Sequence, residues 1–459
     1  MIEFLNTARA LQAPGQLMVL IKFLLSFNNI MNRRQFIKNI FSAAITAPYF
    51  IPAAALGRNG AVAPSNRITL GCIGVGGMGT GNMNGFLTKP NAQVLAVCDV
   101  DAAHRNNARD LVNKAYDNSD CAVYNDFRDV LARRDIDAVM IATPDHWHGI
   151  IAVAAARARK DIYGEKPLAY TISEGRAIVD AVQRYGVIWQ TGSWQRSQQH
   201  FRFGCELVRN GRIGQVHTVR VGLPYGNSIQ NRGTQPGPAP ADFDYEMWLG
   251  PAPWRPYNPS RCHWNFRWIS DYSGGQLTDW AGHHCDIANW GMNTETTAPV
   301  AIEGRAIFPP AQDGLFDTPE SYYFECKYAE GFTMIVADQK QQPKGMGAQF
   351  FGTEGWVYVD RSGIDAHPKA LLKSVIGPNE IHLYESTDHI GNFLDGVASR
   401  APTITPANIA HHAIMIGHLG NIAMRFGRPL QWNPTAERFI NDPEADRWLA
   451  RPMRGSWCI

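Results

Sequence analysis

Two regimes of apolar patterning divide this chain. From Ile68 to about Ser193, short apolar runs ("ITLGCI", "AQVLAVC", "DAVMIA", "DIYG", "VIWQTGS") alternate with segments of helical period. Runs this short, bounded by turn residues and lacking a polar face, predict strands buried on both sides, as in a doubly wound parallel α/β sheet. A helix is expected from Gly149, and Thr171 with Glu174 forms a capping box that opens another. Beyond Arg196 the pattern changes. An amphipathic helix, Phe201 to Asn210, precedes the strand "QVHTVRVGL". The alternating runs "AIEGRAIF", "SYYFECKY", "GFTMIVAD" and "AQFFGTEGWVYV" then predict a second sheet, and helices follow from His389 and through "ANIAHHAIMIGHLGNIAMRFG". A Pro/Gly-rich excursion from Pro224 to about Asn265 is too long for an idle connection. The expected organisation is an extension over residues 1–63, a first α/β domain over 64–195 and a second over 196–459.

With 459 residues, 45% hydrophobic and 18% charged, the chain is long and apolar enough for two globular cores. Its formal charge of +2 conceals an asymmetry, because the first 55 residues carry five basic side chains against Glu3 alone, a net of +4 that leaves −2 for the rest. The body of the chain therefore does not invite nucleic acid. In the basic segment, "MNRRQFIKN" (Met31 to Asn39) puts twin arginines before an apolar run, Ile40 to Leu56, that is broken by Pro48 and Pro52 and ends in "AAALG". This arrangement resembles a twin-arginine export signal with a small-residue cleavage site, and Met31 is its expected start. The expected partner is the twin-arginine export machinery and the expected destination the periplasm. Eight cysteines lack CxxC spacing, so mostly free thiols are expected.

The first strand runs into "GVGGMGTG", in which Gly74, Gly76 and Gly79 form G-x-G-x-x-G around Gly77 and Met78. The first glycine permits a tight turn, the second a close approach of backbone to a pyrophosphate, and the third close packing of the helix. Asp99 ends the next strand twenty residues beyond Gly79, where a carboxylate accepts hydrogen bonds from ribose hydroxyls. That charge disfavours a 2′-phosphate, so NAD is preferred and NADP is the alternative, with Arg105 close enough to soften the repulsion. "TPDHWH" and "GEKP" follow two later strands, which places Thr143, Pro144, His146, His148, Glu165 and Lys166 at the cofactor crevice.

"TDWAGHHCD" (Thr278 to Asp286) is the densest chemistry in the chain. On a helix, Asp279, His283 and Asp286 share one face, while His284 and Cys285 point elsewhere and suit packing. The face is readable as a proton relay, a metal site or a satisfied core.

Taken in order, these motifs resemble the glucose-fructose oxidoreductase / inositol dehydrogenase (Gfo/Idh/MocA) family, from Arg67 to the C-terminus. The resemblance implies an N-terminal Rossmann domain followed by an α/β domain with an open, mainly antiparallel sheet that often forms homo-oligomer contacts. It also implies NAD(P)-dependent oxidation or reduction of a sugar or polyol carbon. By position it makes Lys166, Asp279 and His283 catalytic, with His283 as base, and it selects the relay reading of the helix. Asp286 is expected to orient the imidazole or bind substrate. Ala281 stands where the family usually has glycine, a methyl that would narrow the approach to the site. Arg267 and Trp268, in the aromatic stretch "CHWNFRWISDYSGG", are the expected sugar contacts.

Export sharpens the chemistry. Holding NAD for hours with association near 10⁶ M⁻¹s⁻¹ needs a Kd of about 0.1 nM, so the cofactor is expected to be tightly bound. It is then regenerated by a second carbonyl substrate, or the sugar is oxidised only transiently, which opens glycoside cleavage, elimination or epimerisation. A carbohydrate-binding protein with purely structural NAD is the reading from a different class.

Overall fold

Strand β1 (Ile68–Ile73) is apolar along its length because it lies inside a parallel sheet covered on both faces. The computed structural model describes residues 62–459 except 227, 231, 232, 234 and 311–313, so the export signal expected at Met31 to Leu56 lies outside the described residues. With β2 (Ala92–Cys98), β3 (Ala122–Tyr124), β4 (Ala138–Ile141), β5 (Asp161–Gly164) and β6 (Trp189–Thr191), β1 forms a six-stranded sheet of order β3-β2-β1-β4-β5-β6. All its pairings are parallel, and the order reverses between β1 and β4, where open α/β sheets bind ligands. Alternate residues of β4 feed different cores. Ala138 and Met140 join Leu70, Cys72 and Phe86 on one side, while Val139 and Ile141 join Ile73 and Ile150 on the other. Each fully buried Val, Leu, Ile, Phe or Met side chain among them contributes roughly 1.5–3 kcal/mol.

Helices α1 (Gly77–Leu87), α2 (Ala102–Tyr116), α3 (Phe127–Ala132), α4 (Asp145–Arg157) and α5 (Ile172–Tyr185) connect these strands. Thr171 caps α5 as expected, its Oγ1 accepting the Glu174 N–H at 3.2 Å. Helix α4 starts at Asp145, a turn before the expected Gly149, so "DHWH" is helical rather than loop. Proline reads as a breaker inside a helix, but at this N-terminus Pro144 caps it and its fixed φ suits the entry.

The second sheet is built from β7 (Val216–Leu223), β8 (Ala301–Ile307), β9 (Ser321–Lys327), β10 (Thr333–Asp338), β11 (Gly347–Gly352), β12 (Gly355–Asp360), β13 (Gly363–His367), β14 (Leu430–Asn433) and β15 (Arg438–Phe439). Among the described residues these nine strands lie in the order β13-β12-β11-β7-β10-β9-β8-β14-β15. Only β7 and β10 pair in parallel. The run "AQFFGTEGWVYV" is a hairpin, β11 turning into β12 between the paired Gly352 and Gly355. One sheet face packs on helices α6 (Gln199–Arg209), α8 (Gln276–Met292) and α10 (Ala407–Phe426), and along β9 Tyr322, Phe324 and Cys326 point inward while Tyr323 and Glu325 point out. Helix α8 approaches so closely that a methyl at Gly291 would lie 2.6 Å from the Phe350 ring.

The chain also returns to the first sheet. Helix α9 (His389–Ser399) places Phe393, Leu394 and Val397 in the core beside Phe86, and Thr405 O accepts the Thr191 N–H at the β6 edge. The long excursion after β7 has its own aromatic core around Phe243, Trp248, Phe266 and Trp268, and contains the short helix α7 (Tyr245–Leu249). All eight cysteines are free thiols. Among the described residues no helix is long and apolar enough to cross a membrane.

Candidate active site

The glycine turn after β1 is shaped to admit a ligand. Gly74 has φ +78°, and a methyl on it would lie 2.7 Å from the Ala142 carbonyl; one on Gly79 would lie 1.9 Å from the Gly74 carbonyl oxygen. Both positions therefore exclude any side chain. Gly76 and Gly77 face open space instead, with only the His104 ring within 4 Å of a methyl on Gly76 and nothing near one on Gly77. This leaves backbone at the start of α1 bare toward a cavity of about 560 Å³, an arrangement suited to an anion. Asp99 stands at the far end, its Oδ2 accepting the Val75 N–H (2.8 Å) and its Oδ1 the Asp101 N–H (2.9 Å). These bonds fix the carboxylate at the cavity wall. Arg105 does not pair with it but donates to the Asp99 carbonyl (3.1 Å), whereas His104 Nδ1 lies 3.6 Å from Asp99 Oδ2. Bare glycine backbone, a fixed carboxylate and a cavity of ligand size together fit a dinucleotide.

The excursion supplies the opposite wall. Ala102 N–H donates to the Asp242 carbonyl (2.9 Å) and Asn125 Nδ2 to Asp244 (2.8 Å), which docks this segment beside the end of β2. Phe243, Trp248, His263, Trp264, Phe266 and Arg267 then line the cavity, facing Gly74, Gly76, Gly77, Met78 and Asp99. Thr143, Pro144, Asp145, Glu165, Lys166 and Asp279 line its inner end.

At that inner end a lysine from the loop after β5 meets the first turn of α8. Lys166 Nζ donates to Asp279 Oδ1 at 2.7 Å and to the Asp279 carbonyl at 3.2 Å, and Arg267 Nε lies 3.5 Å from the same Oδ1. Burial raises the Asp279 carboxyl, but Lys166 and Arg267 outweigh it and hold the group below the usual carboxylate range. Glu165 is raised by burial, with Lys166 and Asn82 acting against the shift; Asn82 Nδ2 donates to it at 2.8 Å. His283, one turn on from Asp279, is 4% exposed. Burial, then the cations of Lys166 and Arg361, push its imidazole well below the ordinary value, so it is neutral at pH 7. Among the described residues its Nδ1 has no partner.

Several expected residues take other roles. Asp286 does not reach His283, because Arg196 Nε and an Nη both donate to its two oxygens at 2.7 Å, and Arg196 also reaches Glu295 at 2.6 Å. A face that looks continuous in sequence is thus divided between two buried ion pairs, and it is not a converging set of metal ligands. Trp268 is 1% exposed in the aromatic core and is no cavity wall, while its neighbour Arg267 is. His148 is buried with one ring nitrogen 2.6 Å from the Pro167 carbonyl and the other 2.8 Å from that of Thr143, so it braces the two strand-end loops from behind. His146 likewise faces the Trp248 carbonyl at 2.9 Å. The methyl of Ala281 points to α10, 3.0 Å from where a methyl on Gly417 would stand, and Gly282 is the residue opposite Lys166. The substitution therefore does not narrow the cavity.

Of three residues near His283, Trp194 and Arg361 lie outside the motifs and Trp280 stands inside "TDWAGHHCD" without an expected role. Trp194 and Trp280 set their rings 6.5 and 5.5 Å from the imidazole, and Arg361, from the turn between β12 and β13, lies against both indoles. Asp145, which accepts from Ser273 Oγ at 2.6 Å and lines the cavity, was visible only as part of "TPDHWH".

Comparison with known proteins agrees with this geometry. Residues 68–193 match the oxidoreductase family's NAD-binding Rossmann fold, and residues 226–459 match its C-terminal alpha/beta domain. The chain is similar to myo-inositol 2-dehydrogenase of Thermotoga maritima, 26% identical over 295 residues that cover 63% of this chain and 75% of that protein. It is also similar to a glycosyl hydrolase family 109 protein of Saccharopolyspora erythraea, 31% identical over 156 residues, which cover 32% of this chain and 33% of that one. Among solved structures, scyllo-inositol dehydrogenase from Lactobacillus casei, with bound NAD(H) and scyllo-inositol, shares the fold at a TM-score of 0.56 and 17% identity, covering 80% and 99% of the two chains. Two matched domains in this order, spanning nearly all of the chain beyond its N-terminal extension, make it a member of the Gfo/Idh/MocA oxidoreductase family.

Proposed function

We propose that this oxidoreductase acts on a hydroxyl of a sugar, glycoside or polyol, with NAD held as a retained cofactor. The observation that carries the reading is the Lys166–Asp279 contact of 2.7 Å at the inner end of the dinucleotide cavity, one helical turn from a buried, neutral histidine. Gly74, Gly76, Gly77, Met78, Asp99, Thr143 and Pro144 would hold NAD, with Glu165 and Lys166 at its inner end. Bound there, NAD supplies the hydride acceptor. His283 takes the hydroxyl proton, for which a neutral imidazole is the competent form. Lys166 steadies the oxygen as negative charge builds on it, and Asp279 keeps the ammonium aimed. No carboxylate sits on His283 Nδ1 to stabilise the imidazolium, so the ring is suited to pass its proton on.

The twin arginines at Arg33 and Arg34 support export to the periplasm through the twin-arginine machinery, with cofactor already inside. The wall formed by Phe243, Trp248 and His263 over the cavity supports slow release of that cofactor. NAD rather than NADP follows from Asp99, and homo-oligomeric assembly remains part of the same proposal.

A redox-neutral variant, in which the sugar is oxidised transiently so that a glycosidic bond is cleaved or a carbon epimerised, draws support from the partial likeness to a glycosyl hydrolase family 109 protein. Incubating the protein with cyclitols, aldoses and aryl glycosides tests both readings. A ketone or lactone product supports net oxidation, and a released aglycone without reduced nicotinamide supports the variant. Unchanged turnover in His283→Asn contradicts the assigned base.

A further inference from the structure

Arg361 is set apart from the other cations around the catalytic helix. Lys166 and Arg267 share Asp279, and Arg196 is satisfied by Asp286 and Glu295. Among the described residues, no carboxylate lies within ion-pair distance of Arg361. Its nearest acid in sequence, Asp360, is occupied in holding the turn: Oδ1 accepts from the Ser362 N–H (2.8 Å) and hydroxyl (2.6 Å) and from the Gly363 N–H (3.1 Å), and Oδ2 accepts from the Tyr358 hydroxyl (3.0 Å). Two rings position the guanidinium instead, its central carbon 4.5 Å from the Trp194 ring centroid and 4.3 Å from that of Trp280. With the buried Gln195 amide oriented to satisfy both sides, its oxygen accepts from Arg361 Nε at 3.0 Å and its nitrogen donates to the His283 carbonyl at 3.3 Å.

Aromatic stacking orients a guanidinium without neutralising it. Gln195 engages only Nε, so the Nη edge is left for a planar anion, the geometry of a bidentate carboxylate contact. The side chain is exposed, whereas the two indoles are half-buried and His283 is buried beneath them. A charge in this position can be reached from solvent and lies within one ring of the imidazole.

We propose that Arg361 is a specificity residue that binds a carboxylate on the substrate, so that the preferred sugars are acidic ones such as hexuronates and their glycosides. This rests on the sugar oxidoreductase reading above. It adds that the substrate carries its negative charge away from the reacting hydroxyl, on the Trp194–Trp280 side of His283.

The test is single-turnover reduction of the bound NAD, followed by nicotinamide absorbance, with matched pairs: glucuronate with glucose, galacturonate with galactose, and the methyl glycosides of each. At least one acidic member should exceed its neutral partner in the second-order rate constant for NAD reduction by about tenfold or more, mainly through a lower half-saturating concentration. In Arg361→Gln that ratio should collapse toward one, and in Arg361→Lys, which keeps charge but loses the planar fork, part of it should survive. Melting temperatures of both variants report folding. Equal or faster NAD reduction by the neutral member in every pair, or a ratio that survives Arg361→Gln, overturns the role of Arg361 and leaves the oxidoreductase reading standing. No reduction of the bound NAD by any sugar or cyclitol overturns both.

Discussion

Lys166 and Asp279 are 113 residues apart in sequence, yet Nζ stands 2.7 Å from Oδ1 and the two side chains are only 9% and 12% exposed. This contact joins the end of the parallel sheet to the first turn of α8, and under the proposed function it fixes the lysine that meets the substrate hydroxyl. Lys166→Met should lower kcat by roughly 10²- to 10³-fold, the usual cost of one charge-stabilising donor. Asp279→Asn should weaken kcat less but also lower stability, because it leaves the buried ammonium without a full counter-charge. Steady-state kinetics alongside thermal melts check both, and a Lys166→Met enzyme with full kcat would be incompatible with the assignment.

Acid should unfold the protein through its buried histidines. Burial pushes His146 and His284 down to about 3, and His389 and His418 down to about 4. In the unfolded chain each gains a proton near pH 6.5, so below that point the unfolded state binds more protons and stability falls with pH. The contribution is complete above about pH 6.5 and is lost progressively as pH falls, to about pH 4 for His389 and His418 and to about pH 3 for His146 and His284, at roughly 1.4 kcal/mol per pH unit for each histidine. Melting temperatures should therefore drop steeply below about pH 6.5, and the slope should lessen in His418→Gln. A flat profile would contradict the neutral histidines.

Gly77 and Gly79 should respond differently to the same substitution. Gly79→Ala puts a methyl 1.9 Å from the Gly74 carbonyl oxygen, so the turn must shift and melting temperature should fall along with NAD affinity. Gly77→Ala meets no protein atom within 4 Å but fills the space offered to the ligand. Its melting temperature without nucleotide should match that of the parent, while NAD binding by calorimetry weakens. Equal destabilisation by both would show that the cradle is not open at Gly77.

Asp286→Asn separates structure from catalysis on α8. The carboxylate is fully engaged by buried Arg196, so removing its charge should cost stability, roughly 3–5 kcal/mol for a broken buried pair. The pH dependence of kcat/KM should keep its position. A shifted acid limb would instead mean that Asp286 acts on His283.

The fold was legible where one element's own pattern decided its state. Ile68–Ile73, the glycine turn and Asp99 form a local code of strand, turn and acid, and β7 to β10 announced themselves by alternation. Partners distant in sequence were not legible. Nothing near Asp286 says that Arg196 will claim it, and nothing near Trp268 says that its ring turns into the aromatic core while Arg267 faces the cavity. His148 lies at a strand end as expected, but the helical start at Asp145 rotates it onto backbone carbonyls behind the cavity. Arg361 lies in an ordinary-looking turn, and only folding brings it to two tryptophans 81 and 167 residues earlier in the sequence.

The central claim is a sugar or polyol oxidoreductase that keeps its NAD. Its most direct test is to purify the protein without added nucleotide, denature it, and identify what is released by mass spectrometry and absorbance. The account predicts NAD or its reduced form at close to one per chain, with NADP absent. A nucleotide-free protein, or one that releases NADP, would contradict it.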